Sequence, residues 1–288
     1  MATFGVHFDG KITVEHKVSI RVLARTYEHM QRAIDRAYLI EVHGQVWKHA
    51  RLKAAEYQET DFIAEYPREG GIILDAIREG AGPLVDRIAG AIRPVFARAA
   101  EGGLEEFESF DAQLGNRKAY VAAMQLNTPK FEDVADDPPV NWAPAYSNRS
   151  ITKEIDQLVS QVTPKDLEGS TVDLTFHGDT LHLPFEFDAV RAKNFHTIAS
   201  QRELAAPMLV KVNIRGLDKG NKFTRPKAKI MNLHTKREVT LHLSGPADFE
   251  VLHPHHDKAE VLIYVCPVVE ALGFDIHGGD LMFLAVAA

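Results

Sequence analysis

Apolar and polar residues follow two different periods along this chain, and these periods predict a mixture of strands and helices. Apolar residues alternate on both sides of Asp9-Gly10, a pair that tolerates the positive φ of a tight turn; they are Phe4, Val6, Phe8, Ile12 and Val14. This pattern predicts an opening β-hairpin. Residues 61–66 and 72–77, on either side of the turn-forming stretch 67–71, predict a second one.

A helical period begins at Ser19, which can cap a helix running to about Val42. Its apolar positions recur at steps of three and four residues and form one stripe: Leu23, Tyr27, Met30, Ile34 and Ala37. Roughly opposite this stripe lies a row of basic residues: Arg21, Arg25, His29, Arg32 and Arg36. The sequence therefore predicts a helix with one buried face and one basic face.

Three further helical stretches are predicted before residue 127: residues 46–57, a helix from Pro83 that Pro94 kinks or divides, and an acidic segment over 104–126. Residues 127–146 contain four prolines, four acidic residues and little periodicity, which is typical of a linker. We therefore predict an α+β domain over residues 1–126 and an acidic, proline-rich linker over 127–149.

The carboxy-terminal region, residues 150–288, is predicted to be rich in short strands. A helix at 151–162, a hairpin at 172–187 and a helical stretch at 188–204 come first. Five strands follow, at 208–215, 226–233, 237–243, 259–268 and 281–286. Closely spaced strands of this kind predict a small OB-like or SH3-like β-barrel. The predicted fold class is α+β, a hairpin-and-helix domain followed by that barrel domain with one or two helices.

Composition narrows the class of protein. A chain of 288 residues, 45% hydrophobic and 25% charged, is typical of a globular protein of about two domains. The single cysteine, Cys266, cannot form an internal disulfide, which favours a reducing cytoplasm. The longest apolar run, residues 261–269, is far shorter than the roughly 20 residues of a membrane helix, and the first residues do not resemble a signal peptide. We therefore expect a cytoplasmic protein that neither spans a membrane nor is secreted.

Charge is segregated along the chain, although the formal net charge is −7. Residues 1–53 carry nine Lys and Arg against five Asp and Glu, and residues 208–237 carry nine against one. Two such basic islands in an acidic chain are typical of surfaces that bind a polyanion or an acidic partner. The predicted nucleic-acid or partner-binding residues are Arg21, Arg25, Arg32, Arg36, Lys48, Arg51, Lys211, Arg215, Lys219, Lys222, Arg225, Lys227 and Lys229.

The alternative is that both islands are ordinary solvated surface. In the first island, Glu28 and Asp35 lie at helical pairing distance from Arg25 and Arg32 and could neutralise them. In the second, Phe223 is the only aromatic residue, which is few for a surface that stacks bases.

No other motif predicts catalysis, a resident metal or a cofactor. The densest histidine group, His253 to Asp257, favours a turn with incidental metal affinity over a zinc site, because HExxH and paired cysteines are missing from the sequence. His177 and His182 flank a predicted hairpin turn and could face each other across it. Phosphate-loop and GxSxG motifs are also missing, and Cys266 lies in an apolar strand where an inert thiol is expected.

Four stretches of the amino-terminal region carry a family resemblance: His16 to Ser19 with Leu23, His29 to Tyr38, Trp47 to Arg51, and Glu69 to Gly71. Over about the first 80 residues they make the chain similar to an uncharacterised bacterial protein family. The resemblance implies an α+β amino-terminal domain followed by a small β-barrel, and a link to mobile-element or antiviral-defence loci. It implies no activity and no site residues.

Three functional hypotheses follow. The leading one is a non-enzymatic binding or assembly protein whose basic islands contact a polyanion, with nucleic acid as the first candidate. The second is protein–protein assembly without nucleic acid, in which the islands pair with acidic stretches such as 101–111 or 132–137, in a homo-oligomer or with a partner. The third is a metal-dependent hydrolase that uses the His253 to Asp257 group.

Overall fold

The computed structural model describes residues 1–15, 17–65, 72–102, 108–124 and 127–287. Its helices are α1 (Ile20–His43), α2 (Tyr57–Thr60), α3 (Gly82–Glu101), α4 (Phe110–Met124), α5 (Phe131–Asp136), α6 (Trp142–Val159), α7 (Ala189–Ala199) and α8 (Pro246–Leu252). Its strands are β1 (Ala2–Asp9), β2 (Ile63–Ala64), β3 (Ile72–Arg78), β4 (Thr171–His177), β5 (His182–Asp188), β6 (Arg202–Leu204), β7 (Met208–Asp218), β8 (Lys227–Asn232), β9 (Arg237–His242), β10 (Val261–Glu270) and β11 (Leu281–Val286). With 44% helix and 29% strand, the chain has the predicted α+β class.

The chain forms two units, and each is discontinuous in sequence. The first unit comprises Met1–Glu105 and Ser147–Gln201, and the barrel unit comprises Glu106–Tyr146 and Arg202–Ala288. This division differs from the predicted succession of 1–126, 127–149 and 150–288. The hairpin β4–β5 and helix α7, which were assigned to the carboxy-terminal domain, belong to the first unit.

The predicted linker contains α5 and the start of α6. Phe131 of α5 is buried in the barrel core, and the Trp142 ring packs edge-on against Phe274 with centroids 5.1 Å apart. The later turns of α6 bury Ile151 and Ile155 completely in the first unit. A few well-buried apolar side chains therefore outweigh the proline-rich, acidic composition that suggested a linker.

The first unit is one antiparallel sheet, in the order β2-β3-β1-β4-β5, with helices packed on one face. Alternate residues of β1 face those helices, and Phe4, Val6 and Phe8 are almost completely buried. The hairpins β2–β3 and β4–β5 confirm two predictions, although the turn 67–71 lies outside the described residues. Of the resemblance stretches, Glu69 to Gly71 likewise lies wholly outside them, and the one that begins at His16 lies partly outside.

The predicted opening hairpin is wrong. After β1 the chain enters a 3-10 turn, Gly10–Ile12, and Asp9 caps that turn by accepting a hydrogen bond from the Gly10 amide at 2.7 Å. Strand β1 pairs instead with β3 on one side and β4 on the other. Alternation identified the strand, but it carries no information about which distant segment supplies the partner.

The helix α1 agrees with its prediction. Ser19 accepts a hydrogen bond from the Val22 amide at 3.2 Å, and Gly44 ends the helix in the left-handed region at φ 71°. The predicted helix over residues 46–57 is largely wrong, since residues 46–53 are not helical and only a 3-10 turn at Ala54–Glu56 and α2 follow. The predicted helix from Pro83 is present as α3, and it is not divided at Pro94, which lies inside it.

The barrel unit confirms all five predicted strands. Strands β7, β8, β9, β11 and β10 pair in that order and β10 pairs back to β7, which closes a five-stranded barrel with β6 added to β10. Strands β9 and β11 are parallel, and α8 lies between β9 and β10 in the chain. This connectivity is that of an OB-type barrel, the first of the two predicted alternatives.

Two apolar layers lie on the two sides of the barrel wall. The interior is filled by residues such as Val212, Ile230 and Ile263, while α4 packs through Leu114 and Val121 on the outer side of β6, β10 and β11. The outer side of β7, β8 and β9 carries alternating polar residues instead. In the described part of the chain, the helices all fall short of the length and apolar character that crossing a bilayer requires.

Candidate nucleic-acid interface

The outer side of β7, β8 and β9 carries much of the second basic island. Because side chains alternate along a strand, the buried residues of β7 and β8 point into the barrel and the cations between them point outward. Lys211, Arg215, Lys227 and Lys229 are all exposed on this surface. Lys229 lies opposite Gly216 on one side and Thr240 on the other, so its immediate cross-strand neighbours are small. We call this surface, with the loop described next, the barrel face.

The loop between β7 and β8, residues 219–226, is held by its own hydrogen bonds. The side-chain oxygen of Asn221 accepts from the amides of Phe223 and Thr224 at 2.8 and 3.1 Å. Gly220 adopts φ +68°, and a Cβ there would lie 2.3 Å from the Thr224 carbonyl oxygen, so the turn requires glycine. These hydrogen bonds and the conformation of Gly220 therefore fix the backbone of the loop.

This loop presents an aromatic ring to solvent. Phe223 is 85% exposed, and the Lys222 ammonium lies 5.0 Å from the centre of its ring. The loop borders a hollow of about 300 Å³, whose other side is formed by residues 244–246. An exposed ring beside several cations is the combination on which a nucleic-acid base can stack while its phosphates are neutralised.

Most cations of the barrel face already have an acidic neighbour in the same unit. The pairs, with their nitrogen-to-oxygen distances, are Lys211–Glu260 at 3.5 Å, Lys219–Glu250 at 3.4 Å, Lys227–Asp218 at 3.9 Å and Lys229–Glu238 at 3.4 Å. Arg215 and Lys222 form no ion pair with any residue that the structure describes. Each of the four pairs is exposed, and exposed ion pairs contribute little to stability, typically under about 1 kcal/mol.

Arg225 is the one cation of the loop held by two bonds. Its guanidinium donates to both carboxylate oxygens of Asp111, at 3.0 and 3.2 Å, near the start of α4. Hydrogen bonding and charge from Arg225 lower the pKa of Asp111, and the same contact raises the pKa of Arg225. This pair ties the base of the loop to α4 and leaves the tip, with Phe223, projecting.

The first basic island belongs to the first unit, and five of its six predicted binding residues separate into two groups. Arg21 and Arg25 are exposed near the start of α1 and form no ion pair within the described residues. Arg32, Arg36 and Arg51 border one cavity together with Asp35. Lys48, the sixth predicted residue, is half-buried.

The predicted neutralisation of this helix face is only partly right. Arg32 pairs with Glu28 at 2.6 Å, one turn earlier on α1. Asp35 instead accepts a hydrogen bond from Gln31 at 2.8 Å, and burial raises its pKa above the ordinary value although hydrogen bonds from Gln31 and Thr60 oppose the rise.

The histidine groups lie where the sequence placed them. His253–His255 form a 3-10 turn after α8, and His256 contacts Asp257 at 3.1 Å. His177 and His182 face each other across the β4–β5 turn, with their Nδ1 atoms 3.3 Å apart. Within the described ranges, three or more His, Cys, Asp or Glu side chains do not gather in a group that could hold a metal ion.

Cys266 lies in β10 as predicted and is completely buried. Burial raises the pKa of its thiol to about 12, and the nearby charge of Arg117 only partly opposes this rise. A thiol in this environment is a poor nucleophile.

Comparison of the chain with protein-family models, with curated proteins and with solved structures found no match. The resemblance of the first 80 residues to a bacterial family therefore stays a prediction.

Two parts of the candidate sites were missed by sequence reasoning. Tyr57 and Glu154 border the same cavity as Arg32, although Glu154 is more than one hundred residues away in the chain. Asp111 anchors Arg225 across a similar separation. Neither pairing has a local signal, because both depend on the chain crossing between the units.

Proposed function

We propose that this protein is a non-enzymatic, cytoplasmic nucleic-acid-binding protein, and that its barrel face binds single-stranded DNA or RNA. The observation that carries the proposal is the exposed ring of Phe223 among the cations of the barrel face, at the first loop of an OB-type barrel. OB barrels commonly bind nucleic acid with that loop and with the adjoining strands. The phosphates would contact Lys227, Lys229 and Arg215, and one base would stack on Phe223.

The acidic neighbours of these lysines do not prevent such binding. Each lysine of an exposed pair is already more than half accessible to solvent, and the pair is weak because water and salt screen it. A nucleic-acid strand offers phosphates in a continuous row, and their binding also releases condensed counterions. A phosphate can therefore replace the carboxylate at little cost in stability.

The form of the surface favours single strands over duplexes. Stacking on Phe223 requires a base whose face is free, whereas the bases of a duplex are stacked on one another. The cations lie on strands and a short loop, and the described barrel face presents neither a helix nor a long ribbon that could enter a major groove.

The test is fluorescence anisotropy with labelled oligo-dT and oligo-U of 20 nucleotides at low salt, using the full chain. Phe223→Ala is expected to weaken binding roughly 5- to 150-fold, which is the loss of one base-stacking contact. Phe223→Trp should restore it. The matched control is Val140→Ala, which shortens an equally exposed apolar side chain elsewhere in the barrel unit and should change nothing.

Two results would overturn the proposal. The first is the absence of binding by the wild type at low salt. The second is a Phe223→Ala variant that binds both oligonucleotides as tightly as the wild type does, because the ring would then contribute no stacking contact. The alternative result is a molar mass of the protein, measured by light scattering, that falls as salt rises, with no binding of oligonucleotides. In that case the basic islands serve protein–protein assembly.

A further inference from the structure

We propose that the first unit contains a separate binding site for a small phosphorylated molecule, of the class of a nucleoside monophosphate, in the cavity bordered by Arg32, Arg36 and Arg51. The site lies wholly within the first unit and does not depend on nucleic-acid binding by the barrel. It gives the first basic island a role that differs from that of the second.

Three arginines on two segments of the chain border this cavity. Arg32 and Arg36 are one turn apart on α1 and therefore lie on the same side of the helix. Arg51 lies in the segment that follows α1 in the chain, and Arg36 holds this segment to α1 by donating a hydrogen bond to the Ala50 carbonyl at 3.1 Å. Guanidinium groups bind phosphate through paired N–H donors, so this arrangement suits a phosphate better than a cation.

The acidic residues of the cavity already have partners outside it. Glu154 contacts His29 at 2.9 Å, and Asp35 accepts from Gln31 at 2.8 Å, while neither His29 nor Gln31 borders the cavity. Each carboxylate therefore has one hydrogen-bond partner that does not border the cavity. Its remaining oxygen sites can accept hydrogen bonds from the hydroxyl groups of a sugar.

The size and lining of the cavity indicate the class of ligand. Its volume of about 310 Å³ is at the lower end of the roughly 300 to 1,000 Å³ of small-molecule sites, which suits a ligand of the size of one nucleotide. Tyr57 borders the cavity and is 59% exposed, so a flat ring can lie against it. A ligand that places a phosphate against the arginines and a base against Tyr57 is a nucleoside monophosphate.

The experiment is isothermal titration calorimetry of the full chain with AMP, adenosine, ribose 5-phosphate and inorganic phosphate. AMP is expected to bind, and adenosine to bind at least 10-fold more weakly because it lacks the phosphate. Arg51→Gln should weaken AMP roughly 10- to 100-fold. Because Arg51 is exposed, this variant should fold normally, which circular dichroism checks. The matched control is Arg21→Gln, which removes the same charge from α1 away from the cavity.

Two further variants make the assignment sharper. Tyr57→Ala should weaken AMP more than it weakens ribose 5-phosphate, because only AMP has a base. The double variant Lys227→Gln, Lys229→Gln alters the barrel face and should bind AMP as the wild type does, so failure of one proposal can be told from failure of the other.

The proposal is overturned if the wild type does not bind AMP, or if Arg51→Gln and Arg21→Gln bind it equally. It is also overturned if a 5′-phosphorylated trinucleotide binds at this cavity while AMP does not, since the phosphate would then come from a nucleic-acid strand.

Discussion

Neutralising two lysines of the barrel face should change the salt dependence of oligonucleotide binding by a calculable amount. Lys227 and Lys229 lie two residues apart on β8 with their side chains on the same outer side. For single strands each neutralised phosphate adds about −0.7 to the slope of log K against log salt, so loss of two contacts reduces the slope by about 1.4. The same relation makes Lys227→Gln, Lys229→Gln bind about 25-fold more weakly at about 0.1 M salt, and equally well near 1 M.

The assay is fluorescence anisotropy with one labelled oligo-dT over a series of sodium chloride concentrations. The matched control is Lys130→Gln, Lys258→Gln, which removes the same charge from two exposed positions of the barrel unit outside the barrel face. If long-range attraction to total charge were responsible, both double variants would lose the same affinity. If the barrel face contacts the phosphates, only the first should change the slope.

The reasoning is refuted by a slope that is the same in the wild type and in the β8 variant. It is equally refuted if the two double variants weaken binding alike, because the charge would then act at a distance. Unfolding in urea checks that both variants are as stable as the wild type, which is expected because the ion pairs Lys227–Asp218 and Lys229–Glu238 are exposed.

Two further predictions concern stability and reactivity. Asp86→Ala should lower the free energy of unfolding at neutral pH by about 1 to 2 kcal/mol, because Asp86 of α3 accepts hydrogen bonds from the Thr180 amide, the Thr180 hydroxyl and the Leu181 amide at 2.8 to 2.9 Å. Burial alone would raise the pKa of Asp86, but these hydrogen bonds lower it. The difference in free energy of unfolding between wild type and variant, measured in urea, should therefore shrink as pH falls below about 4. A difference that grows there contradicts the assignment. Burial raises the pKa of the Cys266 thiol to about 12, so this thiol should not react with a thiol reagent near neutral pH until the chain is unfolded. Prompt labelling of the native protein would show that β10 is not buried.

The barrel was predictable from the sequence because its strands follow one another closely. In β7 and β8, alternation places Val212 and Ile230 inside and Lys211 and Lys229 outside, and each strand pairs with its neighbour in the chain. Local pattern and local pairing then agree, so the predicted bounds of the strands lie within three residues of the observed ones. For the same reason, the excess of basic residues counted over 208–237 corresponds to a surface of the folded barrel.

The first unit was less predictable because its partners are distant. Strand β1 pairs with Ile72–Arg78 and with Thr171–His177, and its alternation is the same whichever strand lies beside it. The Asp9-Gly10 pair, a strong hairpin signal, serves instead as the start of a 3-10 turn. The cavity of Arg32 depends on Glu154, which reaches it only because the chain returns from the barrel unit at Ser147.

Two islands with the same number of Lys and Arg residues, nine each, therefore have different surroundings, and shape decides what each can bind. On the barrel face the cations lie along neighbouring strands with the acidic groups beside them, which leaves an open surface that a polymer of phosphates can follow. In the first unit Arg32, Arg36 and Arg51 border one cavity of about 310 Å³, a volume suited to a small anion. Net charge in a sequence window does not distinguish a surface from a cavity, because the distinction depends on which residues the fold brings opposite the charge. For this reason an oligonucleotide and a nucleotide test the two islands separately, and each needs variants of its own.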